Sequence, residues 1–289
     1  MTLPSGRGSY NDRNSHTGSV MNTTALLLSV AIASAVAACS TTTSPTGRKQ
    51  VVGVSEAQLA QLGEQAFAQA KAKTPQSTDR ARTAYVACVV NAVVRQVPSP
   101  WNQLRWEFAL FQDNEANAWA LPGGKVGVYT GIFNVARNQD QLAGVIAHEI
   151  GHVVARHHNE RITRQQGAGT ALQLLSAIAG ARYGDGVGSA VAQGGGIAAQ
   201  AGFLLPNSRV QEGEADVVGQ QLMAKAGFDP RGAVALWQNM SAAGGSRPPE
   251  WLSTHPNPEA RLRELQARAD GLLPTMEAAR RAGNTPRCQ

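Results

Sequence analysis

Apolar residues recur at helical spacing over most of the chain, which predicts a mostly helical protein. Residues 55–73 carry apolar side chains every three or four positions and open on Ser55 and Gln58 at capping-box spacing. Residues 78–97 repeat this spacing and stop at a pair of prolines, which cannot continue a helix. We therefore expect two amphipathic helices at the start of the fold.

Two segments after these helices change from helical spacing to extended patterns. Leu104–Phe111 places Trp106, Phe108 and Leu110 on one face, as a strand does. Residues 117–133 then give two short extended pieces around a Pro-Gly-Gly turn, which predicts either a hairpin or a bent edge strand. The predicted sheet is small.

Helical spacing returns in the second half of the chain. Asn138 and Gln141 again have the spacing of a cap, and one long helix is predicted from Asn138 to about Gln165. Further helices are predicted at 207–227, 231–240 and 257–271. The expected fold class is α+β and mostly α, in one domain over residues 55–270, followed by a C-terminal tail at 271–289.

The first 39 residues have the pattern of a targeting segment rather than of the fold. Ala25–Ala38 is an apolar run of 14 residues, too short to span a bilayer as a helix and typical of the central region of a signal peptide. Arg7 and Arg13 supply the positive charge before it. Neither arginine lies between Met21 and the run, so the pattern leaves open whether the chain starts at Met1 or at Met21.

The sequence Val36–Cys39 resembles a bacterial lipobox, in which the cysteine is acylated and becomes the new N-terminus. The alternative is an ordinary secretory signal with an incidental cysteine. Because Ser40 rather than an aspartate follows, the resemblance to sorted lipoproteins implies the periplasmic face of the outer membrane, with Cys39 held in the lipid by its acyl chains. Residues 40–54 are mostly polar and are expected to form a tether.

Composition places the remainder among ordinary globular proteins. Apolar residues make up 43% of the chain and charged residues 16%. The formal net charge is +6, but the sequence has no Lys/Arg block and no basic patch with interleaved aromatics, so nucleic acid is not an expected partner. In an oxidising periplasm Cys88 and Cys288 invite a disulfide, while the apolar helix pattern around Cys88 equally fits a plain core residue.

Candidate chemistry is concentrated in the sequence HEIGH. His148 and His152 stand four residues apart, so on a helix they project from one face and can share a zinc ion. Glu149 points about 100° away around the helix, where it can take a proton from water bound to the metal. We expect one zinc ion per chain.

Two residues compete for the third ligand position. His158 lies ten residues after His148, as in the HExxHxxGxxH class, but Ala155 stands where that class has the glycine that lets the chain leave the helix. If the helix continues, His158 lies about 9 Å further along the axis than His152 and cannot reach the ion. We therefore expect a carboxylate from a separate helix.

The sequence QEGEAD supplies such a carboxylate, 60 residues after His152. Glu212 and Asp216 are at i and i+4, hence on one face of the predicted helix. Glu212 is the expected zinc ligand, and Asp216 is expected to accept the far N–H of a ligand histidine and so fix the orientation of its ring. Glu214 points elsewhere and is expected to be dispensable.

These motifs together carry a family resemblance. NAWALPGGKVGVYTGIF, HEIGH, LLPNSRVQEGEADVVG and STHPNPEARL, in this order, resemble the HtpX/Oma/BepA family of gluzincins, family forty-eight of the metallopeptidases. The similarity covers about residues 55–270, and the lipobox makes the chain most similar to LoiP-type periplasmic lipoproteins. The resemblance implies a zincin-type (gluzincin) domain with an HExxH helix, a glutamate helix and a small edge-strand sheet. It also implies a zinc endopeptidase with ligands His148, His152 and Glu212 and the base Glu149.

The resemblance extends to two further residues and to a substrate-binding strand. The family's HP…R motif maps onto His255 and Arg261, which implies that they stabilise the developing oxyanion or shape the site, and a plain turn at the start of a helix is the alternative for His255. The edge strand is expected to hold a polypeptide as an added strand, or else to be purely structural. Its residues are Asn117, Ala118, Trp119, Ala120 and Leu121.

Backbone pairing with a strand edge reads little sequence and therefore suits unfolded or misassembled polypeptides. The sequence predicts a quality-control protease for envelope proteins. The alternative is a chaperone-like factor in outer-membrane protein assembly, with proteolysis secondary or latent.

Overall fold

The structure, a computed structural model, describes residue 1 and residues 40–165, 208–243, 255 and 258–288. The predicted signal peptide, the lipobox and Cys39 lie outside the described residues and stay predictions. The described residues from 40 onward belong to one compact unit. Within these ranges, no helix is both long and apolar enough to cross a membrane.

Helices account for most of the described chain, as the apolar spacing predicts. Their bounds are α1 Glu56–Lys73, α2 Arg80–Val94, α3 Gln139–Val154, α4 Arg209–Lys225, α5 Arg231–Ala243, α6 Pro258–Ala269 and α7 Leu273–Arg281. The capping box at Ser55 forms as predicted, and Asn138 accepts a hydrogen bond from the Gln141 backbone N–H at the start of α3. Ser208 and Gln211 form a further capping box that starts α4.

A three-stranded sheet follows the first two helices, with strand order β3-β5-β4. The strands are β3 Glu107–Phe111, β4 Ala118–Leu121 and β5 Lys125–Tyr129. β5 pairs parallel with β3 and antiparallel with β4. The turn between β4 and β5 needs positive φ angles of 79° and 77°, which Gly123 and Gly124 adopt without strain. Residues 117–133 therefore contain a hairpin, and β4 is an edge strand of this sheet.

Residues 40–54 differ from the predicted tether. β1 (Ser40–Thr43) and β2 (Lys49–Val52) pair antiparallel, so the segment contains a hairpin. The side-chain amide of Gln50 donates to the carbonyl of Ala155 at 2.7 Å, which joins the hairpin to the helical domain. Polar side chains that look solvated in the sequence find protein partners here, and the segment is part of the folded unit.

The C-terminal segment, predicted as a tail, also packs on the domain where it is described. α7 contacts α4, and Arg280 donates to the carbonyl of Gly227 at 2.8 Å. Cys288 is disulfide-bonded to Cys88 on α2. The disulfide decides between the two alternatives for Cys88 and joins the end of the chain to its second helix.

The long helix predicted from Asn138 to Gln165 is interrupted, so that prediction is wrong. α3 ends at Val154, Arg156 adopts a left-handed conformation with φ 57°, and a second helical segment covers residues 157–165. The Arg156 guanidinium lies over the ring of Trp101, 5.5 Å from its centroid. Neither glycine nor proline occurs at the break, so tertiary contacts stabilise it.

Helix α3 lies at the centre of the domain. Every residue from Gln141 to Val154 is buried, and the helix contacts α2, α4, α5 and β4. Its side chains Leu142, Ile146 and Ile150 are fully enclosed. The HEIGH sequence is therefore held by a helix that is packed along almost its whole length.

Candidate metal centre and active-site cleft

Three side chains from two helices converge inside the domain. His148 and His152 project from α3, and their Nε2 atoms lie 3.1 Å apart. Glu212 comes from the first turn of α4, with Oε2 3.4 Å from His148 Nε2 and Oε1 3.5 Å from His152 Nε2. All three side chains are buried.

These separations suit a tetrahedral metal ion. Two ligand atoms bound about 2.0–2.1 Å from zinc at a tetrahedral angle lie roughly 3.4 Å from each other. The nitrogen–nitrogen distance of 3.1 Å is close to this value, as are the distances from each histidine to one of the two oxygens of Glu212. Glu212 Oε1 is buried and has no hydrogen-bond partner among the described residues, so one lone-pair acceptor is left for a cation. Two imidazoles and a carboxylate are also a common donor set for zinc. The residues present therefore fit the group that the sequence predicts.

His255 adds a fourth candidate ligand atom, the third nitrogen, to this cluster. Its Nδ1 lies 3.3 Å from His148 Nε2 and 2.9 Å from Glu212 Oε2. The four ligand atoms all lie within 4.8 Å of one another. The other ring nitrogen, Nε2, lies 3.4 Å from Glu149 Oε1. His255 thus stands between the cluster and Glu149.

Two glycines let α3 and α4 approach closely enough for this convergence. A Cβ atom at Gly151 would lie 2.8 Å from the carbonyl oxygen of Ala215, and one at Gly219 would lie 3.0 Å from the backbone nitrogen of His148. Both distances are shorter than ordinary van der Waals contact, which begins near 3.4 Å. Backbone contact between the helices therefore sets the distance from Glu212 to the histidines.

Asp216 lies behind His148, on the same face of α4 as Glu212. His148 Nδ1 is 2.9 Å from Asp216 Oδ1, a contact that turns Nε2 toward the cluster. Arg261, on α6, donates to both oxygens of Asp216 at 2.7 Å, and its Nη1 lies 2.6 Å from Glu212 Oε2. Arg261 is buried and does not line the cleft described below, so its position suits holding the two acids in place.

Two residues that sequence reasoning missed support His152. His152 Nδ1 lies 2.8 Å from His157 Nδ1, and His157 Nε2 lies 3.2 Å from Glu214 Oε2. Glu214 does point away from the cluster, but it enters a buried network in which Arg48 donates to it. The contact with His157 depends on the break at Arg156, which no local sequence pattern signals.

Burial and hydrogen bonds shift the protonation of the cluster. Burial alone would raise the pKa of Glu212, but hydrogen bonds with His148 and His255 hold it well below its usual range. Burial opposes protonation of His148, yet hydrogen bonds with Asp216 and Glu212 raise its pKa to about 9. Burial lowers the pKa of His152 well below its usual value. The same contacts that raise the pKa of His148 therefore make protons compete with a cation for this ring.

His158 does not join the cluster. The described residues that can hold a metal together are His148, His152, Glu212 and His255. His158 lines the cleft instead, and its Nδ1 is buried without a hydrogen-bond partner in the described part of the chain. The structure thus places Glu212 with the two histidines, although the sequence argument against His158 assumed a continuous helix that the structure does not have.

A cleft of about 270 Å³ opens beside the cluster. Glu149 and His152 line it, together with His255 and with Asn117–Leu121. His157, His158 and Arg161 complete the lining. The predicted substrate strand and the predicted base thus share one cleft. Arg161, which sequence reasoning did not select, adds a positive charge to it.

Among the described residues, the backbone groups on the outer side of strand β4 have no backbone partner. The Tyr129 N–H donates to the Asn117 carbonyl at 3.0 Å. Because bonded and non-bonded pairs alternate along antiparallel strands, the N–H and C=O groups of Ala118 and Ala120 point away from β5. They face the edge of the sheet that no other described strand covers, where an extended peptide can pair with them.

Known proteins similar to this chain include several named metalloendopeptidases. The mitochondrial metalloendopeptidase OMA1 of Schizosaccharomyces pombe is 36% identical, over 64% of this chain and 52% of its own length. The beta-barrel assembly-enhancing protease of Escherichia coli is 31% identical, over 74% of this chain and 44% of its own. OMA1 of Arabidopsis thaliana is 36% identical, over 56% of this chain and 31% of its own. The chain thus spans about half the length of these relatives, or less.

The model of peptidase family M48 matches residues 80–269, from α2 to the end of α6. This region is about two thirds of the chain. It contains every residue of the cluster, Glu149 in the cleft and the edge strand β4. The four motifs that carry the family resemblance all fall within it. The chain therefore belongs to peptidase family M48.

Proposed function

We propose that this chain is a zinc-dependent endopeptidase that cleaves unfolded or misassembled proteins of the bacterial cell envelope. The observation that carries the proposal is the convergence of His148, His152 and Glu212 in a cluster that adjoins Glu149 and an edge strand. Membership of a peptidase family and the names of the metalloendopeptidase relatives support the reaction class.

His148, His152 and Glu212 would hold one zinc ion per chain. When bound, zinc supplies a positive charge that polarises a peptide carbonyl and lowers the pKa of water to about 7. Asp216 would keep the His148 ring turned toward the ion, through the 2.9 Å contact at Nδ1. Arg261 would hold both acids of α4 and so fix the distance between them.

Glu149 would move the proton. It adjoins a candidate ligand in sequence, but it lines the cleft and is not part of the ligand group. Its carboxylate would accept a proton from the attacking water and pass it to the nitrogen of the leaving amine. His255, whose Nε2 lies 3.4 Å from Glu149 Oε1, would lie beside the substrate carbonyl oxygen and shape the site around it.

Strand β4 would hold the substrate in extended form. A peptide paired with the open backbone groups of Ala118 and Ala120 would lie in the cleft that Glu149 lines. Strand pairing requires a chain that exposes its own backbone, so folded proteins are poor substrates. This supports a role in removing unfolded or misassembled proteins.

Two observations support the envelope as the location. The disulfide between Cys88 and Cys288 suits an oxidising compartment such as the periplasm. Cys39, in the lipobox, would be acylated and would anchor the chain at the periplasmic face of the outer membrane. Among the relatives, one is named for β-barrel assembly and others as mitochondrial, so the location rests on the cysteines more than on the family.

Metal content and cleavage of casein, an unfolded protein, test the proposal. We expect the wild type to hold one zinc ion per chain, Glu149→Gln to keep the zinc but cleave at least about a hundredfold more slowly, and Glu212→Ala to lose both. Glu277→Gln, which removes an exposed carboxylate on α7, is the control. A wild type without stoichiometric metal, or a Glu149→Gln variant that cleaves normally, would show that the proposal is wrong.

One observation favours a second role. The relative named as a beta-barrel assembly-enhancing protease suggests that binding of assembly intermediates contributes beside cleavage. A Glu149→Gln variant separates the two roles because it should retain the metal and the substrate strand. If it maintains outer-membrane integrity as well as the wild type does, the chaperone-like role is the principal one.

A further inference from the structure

We propose that His157 and Glu214 are positioning residues for His152, and that the N-terminal hairpin, formed by β1 and β2, holds this pair in place. The inference rests on the proposed function, because His152 matters as a metal ligand. It assigns a part in the active site to residues 40–54, which sequence reasoning treats as a tether. It also assigns one to Glu214, which sequence reasoning treats as dispensable.

A continuous chain of short contacts links His152 to the hairpin. His152 Nδ1 lies 2.8 Å from His157 Nδ1, and His157 Nε2 lies 3.2 Å from Glu214 Oε2. His157 is 1% exposed and Glu214 5% exposed, so water competes little for these bonds. Arg48 then donates to Glu214 Oε2 from Nε at 2.8 Å, and its Nη2 lies 2.7 Å from the same oxygen.

The direction of each hydrogen bond in this series of contacts is fixed at both ends, by the metal-binding nitrogen of His152 and by the carboxylate of Glu214. A metal ligand must present a lone pair on Nε2, so His152 carries its proton on Nδ1 and donates it to His157 Nδ1. His157 Nδ1 is then the acceptor, and its proton lies on Nε2, which faces Glu214. A carboxylate only accepts. Glu214 thus selects one tautomer of His157, which in turn selects the metal-binding tautomer and ring orientation of His152.

The two candidate histidine ligands therefore have different supports. His148 contacts a carboxylate directly, through Asp216 on α4. The carboxylate that serves His152 also comes from α4, but it acts through an intervening imidazole. That imidazole lies on the segment after the break at Arg156, so its position depends on how this segment is held.

The N-terminal hairpin contacts both Glu214 on α4 and the segment that carries His157. The hydroxyls of Ser44 and Thr46, in the turn between β1 and β2, donate to Glu214 Oε1. Arg48 also donates to both oxygens of Glu160, each at 2.8 Å. Glu160 lies on the segment that carries His157, so one guanidinium joins that segment to Glu214 on α4. A bidentate arginine pair of this kind is geometrically specific.

Zinc affinity of the full-length chain tests the inference, measured by competition with a chromogenic chelator. His157→Phe removes both contacts and should weaken zinc binding about 10–100-fold, as the loss of an outer-shell partner typically does. His157→Gln can still accept from His152 and donate to Glu214, so its affinity should stay within about threefold of the wild type. Cobalt-substituted protein should show altered visible bands in His157→Phe and near-normal bands in His157→Gln.

Variants of the hairpin extend the test to the distant end of the network. Arg48→Gln should weaken zinc binding by a smaller factor, about three- to tenfold, because the hydroxyls still hold Glu214. Lys49→Met removes the exposed charge of the next residue, the first of β2, and should change nothing. Since the Arg48 side chain is 26% exposed, whereas His157 is fully enclosed, the Arg48 variant keeps the test available if His157→Phe does not fold.

Each other outcome overturns the inference. Zinc affinities within twofold of the wild type in His157→Phe, even with a lower melting temperature, would mean that the network only stabilises the fold. An equal loss in His157→Phe and His157→Gln would mean that the hydrogen bonds do not matter. A wild type that binds no zinc would refute the proposed function as well, whereas a zinc-binding wild type with unchanged variants would refute this inference alone.

Discussion

Substitution of Gly151 by alanine tests whether backbone contact between α3 and α4 sets the metal site. The added Cβ would lie 2.8 Å from the carbonyl oxygen of Ala215, where ordinary contact begins near 3.4 Å. The obstructing atom belongs to the backbone of a buried helix and cannot rotate aside. The helices must therefore separate locally by about 0.6 Å, the difference between these two distances.

The effect of this separation on stability follows from two opposing terms. Overpacking a close contact typically costs about 1–3 kcal/mol, and replacing glycine by alanine within a helix contributes about 1 kcal/mol in favour of folding. Gly151→Ala should therefore lower the free energy of unfolding by roughly 0–2 kcal/mol. In a domain of this size that lowers the melting temperature by several degrees, at about 2–4 °C per kcal/mol.

The effect on metal binding should be larger than the effect on folding. Ala215 lies one turn after Glu212, so moving this turn outward by about 0.6 Å lengthens the 3.4 and 3.5 Å separations between Glu212 and the histidines. Metal–ligand distances are normally held within about 0.2 Å. We expect the zinc dissociation constant of Gly151→Ala to rise at least about tenfold.

Gly213→Ala is the matched control for this prediction. The same substitution in α4 would place its Cβ 3.6 Å from a carboxylate oxygen of Glu264, an ordinary contact with a flexible side chain. Helix propensity should then raise the free energy of unfolding by up to about 1 kcal/mol, with zinc affinity unchanged. If urea denaturation and chelator competition give Gly151→Ala the same stability and zinc affinity as Gly213→Ala, helix contact does not set the site.

Three further predictions concern other parts of the domain. The disulfide spans 200 residues, so replacing Cys88 and Cys288 together by alanine should lower the free energy of unfolding, measured in urea, by roughly 3–5 kcal/mol; an unchanged value would contradict this. Burial lowers the pKa of His158 to about 3, so below about pH 6.5 the unfolded chain binds a proton that the folded chain does not. Acidifying metal-free protein from pH 7 to pH 5 should therefore destabilise the wild type by up to about 2 kcal/mol more than His158→Gln, and parallel pH profiles would contradict it. N-methylation of the substrate amides that face β4 should raise KM about tenfold, because each loses a backbone hydrogen bond. Methylation of the amides between them, which face away from β4, should leave KM unchanged. An equal rise in KM at every position of the peptide would exclude strand pairing.

The elements that present the cluster could be predicted because their signals are local. HEIGH combines helical spacing with a side-chain cap at Asn138, and QEGEAD follows a capping box at Ser208. Local periodicity therefore places two ligands on one face of α3, and a third on a helix of its own. How closely the helices approach depends on glycines such as Gly151 and Gly219, whose role appears only when the helices are packed together.

The polar segments were harder to predict because their partners lie far away in sequence. Residues 40–54 lack apolar periodicity, and their composition suits a tether. Their hydrogen bonds reach partners more than 100 residues away, from Gln50 to Ala155 and from Arg48 to Glu214. A polar side chain with a buried partner looks the same in sequence as one that is solvated, so composition alone cannot separate the two cases.

The break at Arg156 shows how such distant contacts reach the candidate metal site. On a continuous helix, His157 would lie about 140° around the axis from His152, at about 100° per residue, and the two rings could not meet. A left-handed residue costs about 1–2 kcal/mol, but the break lets the Ala155 carbonyl accept from Gln50 and brings Arg156 over Trp101. The same turn brings His157 to His152. The local sequence favours a continuous helix. Contacts from Gln50 in the N-terminal hairpin and from Trp101 in the loop after α2 favour the break instead. The surroundings of His152 are therefore decided by tertiary structure.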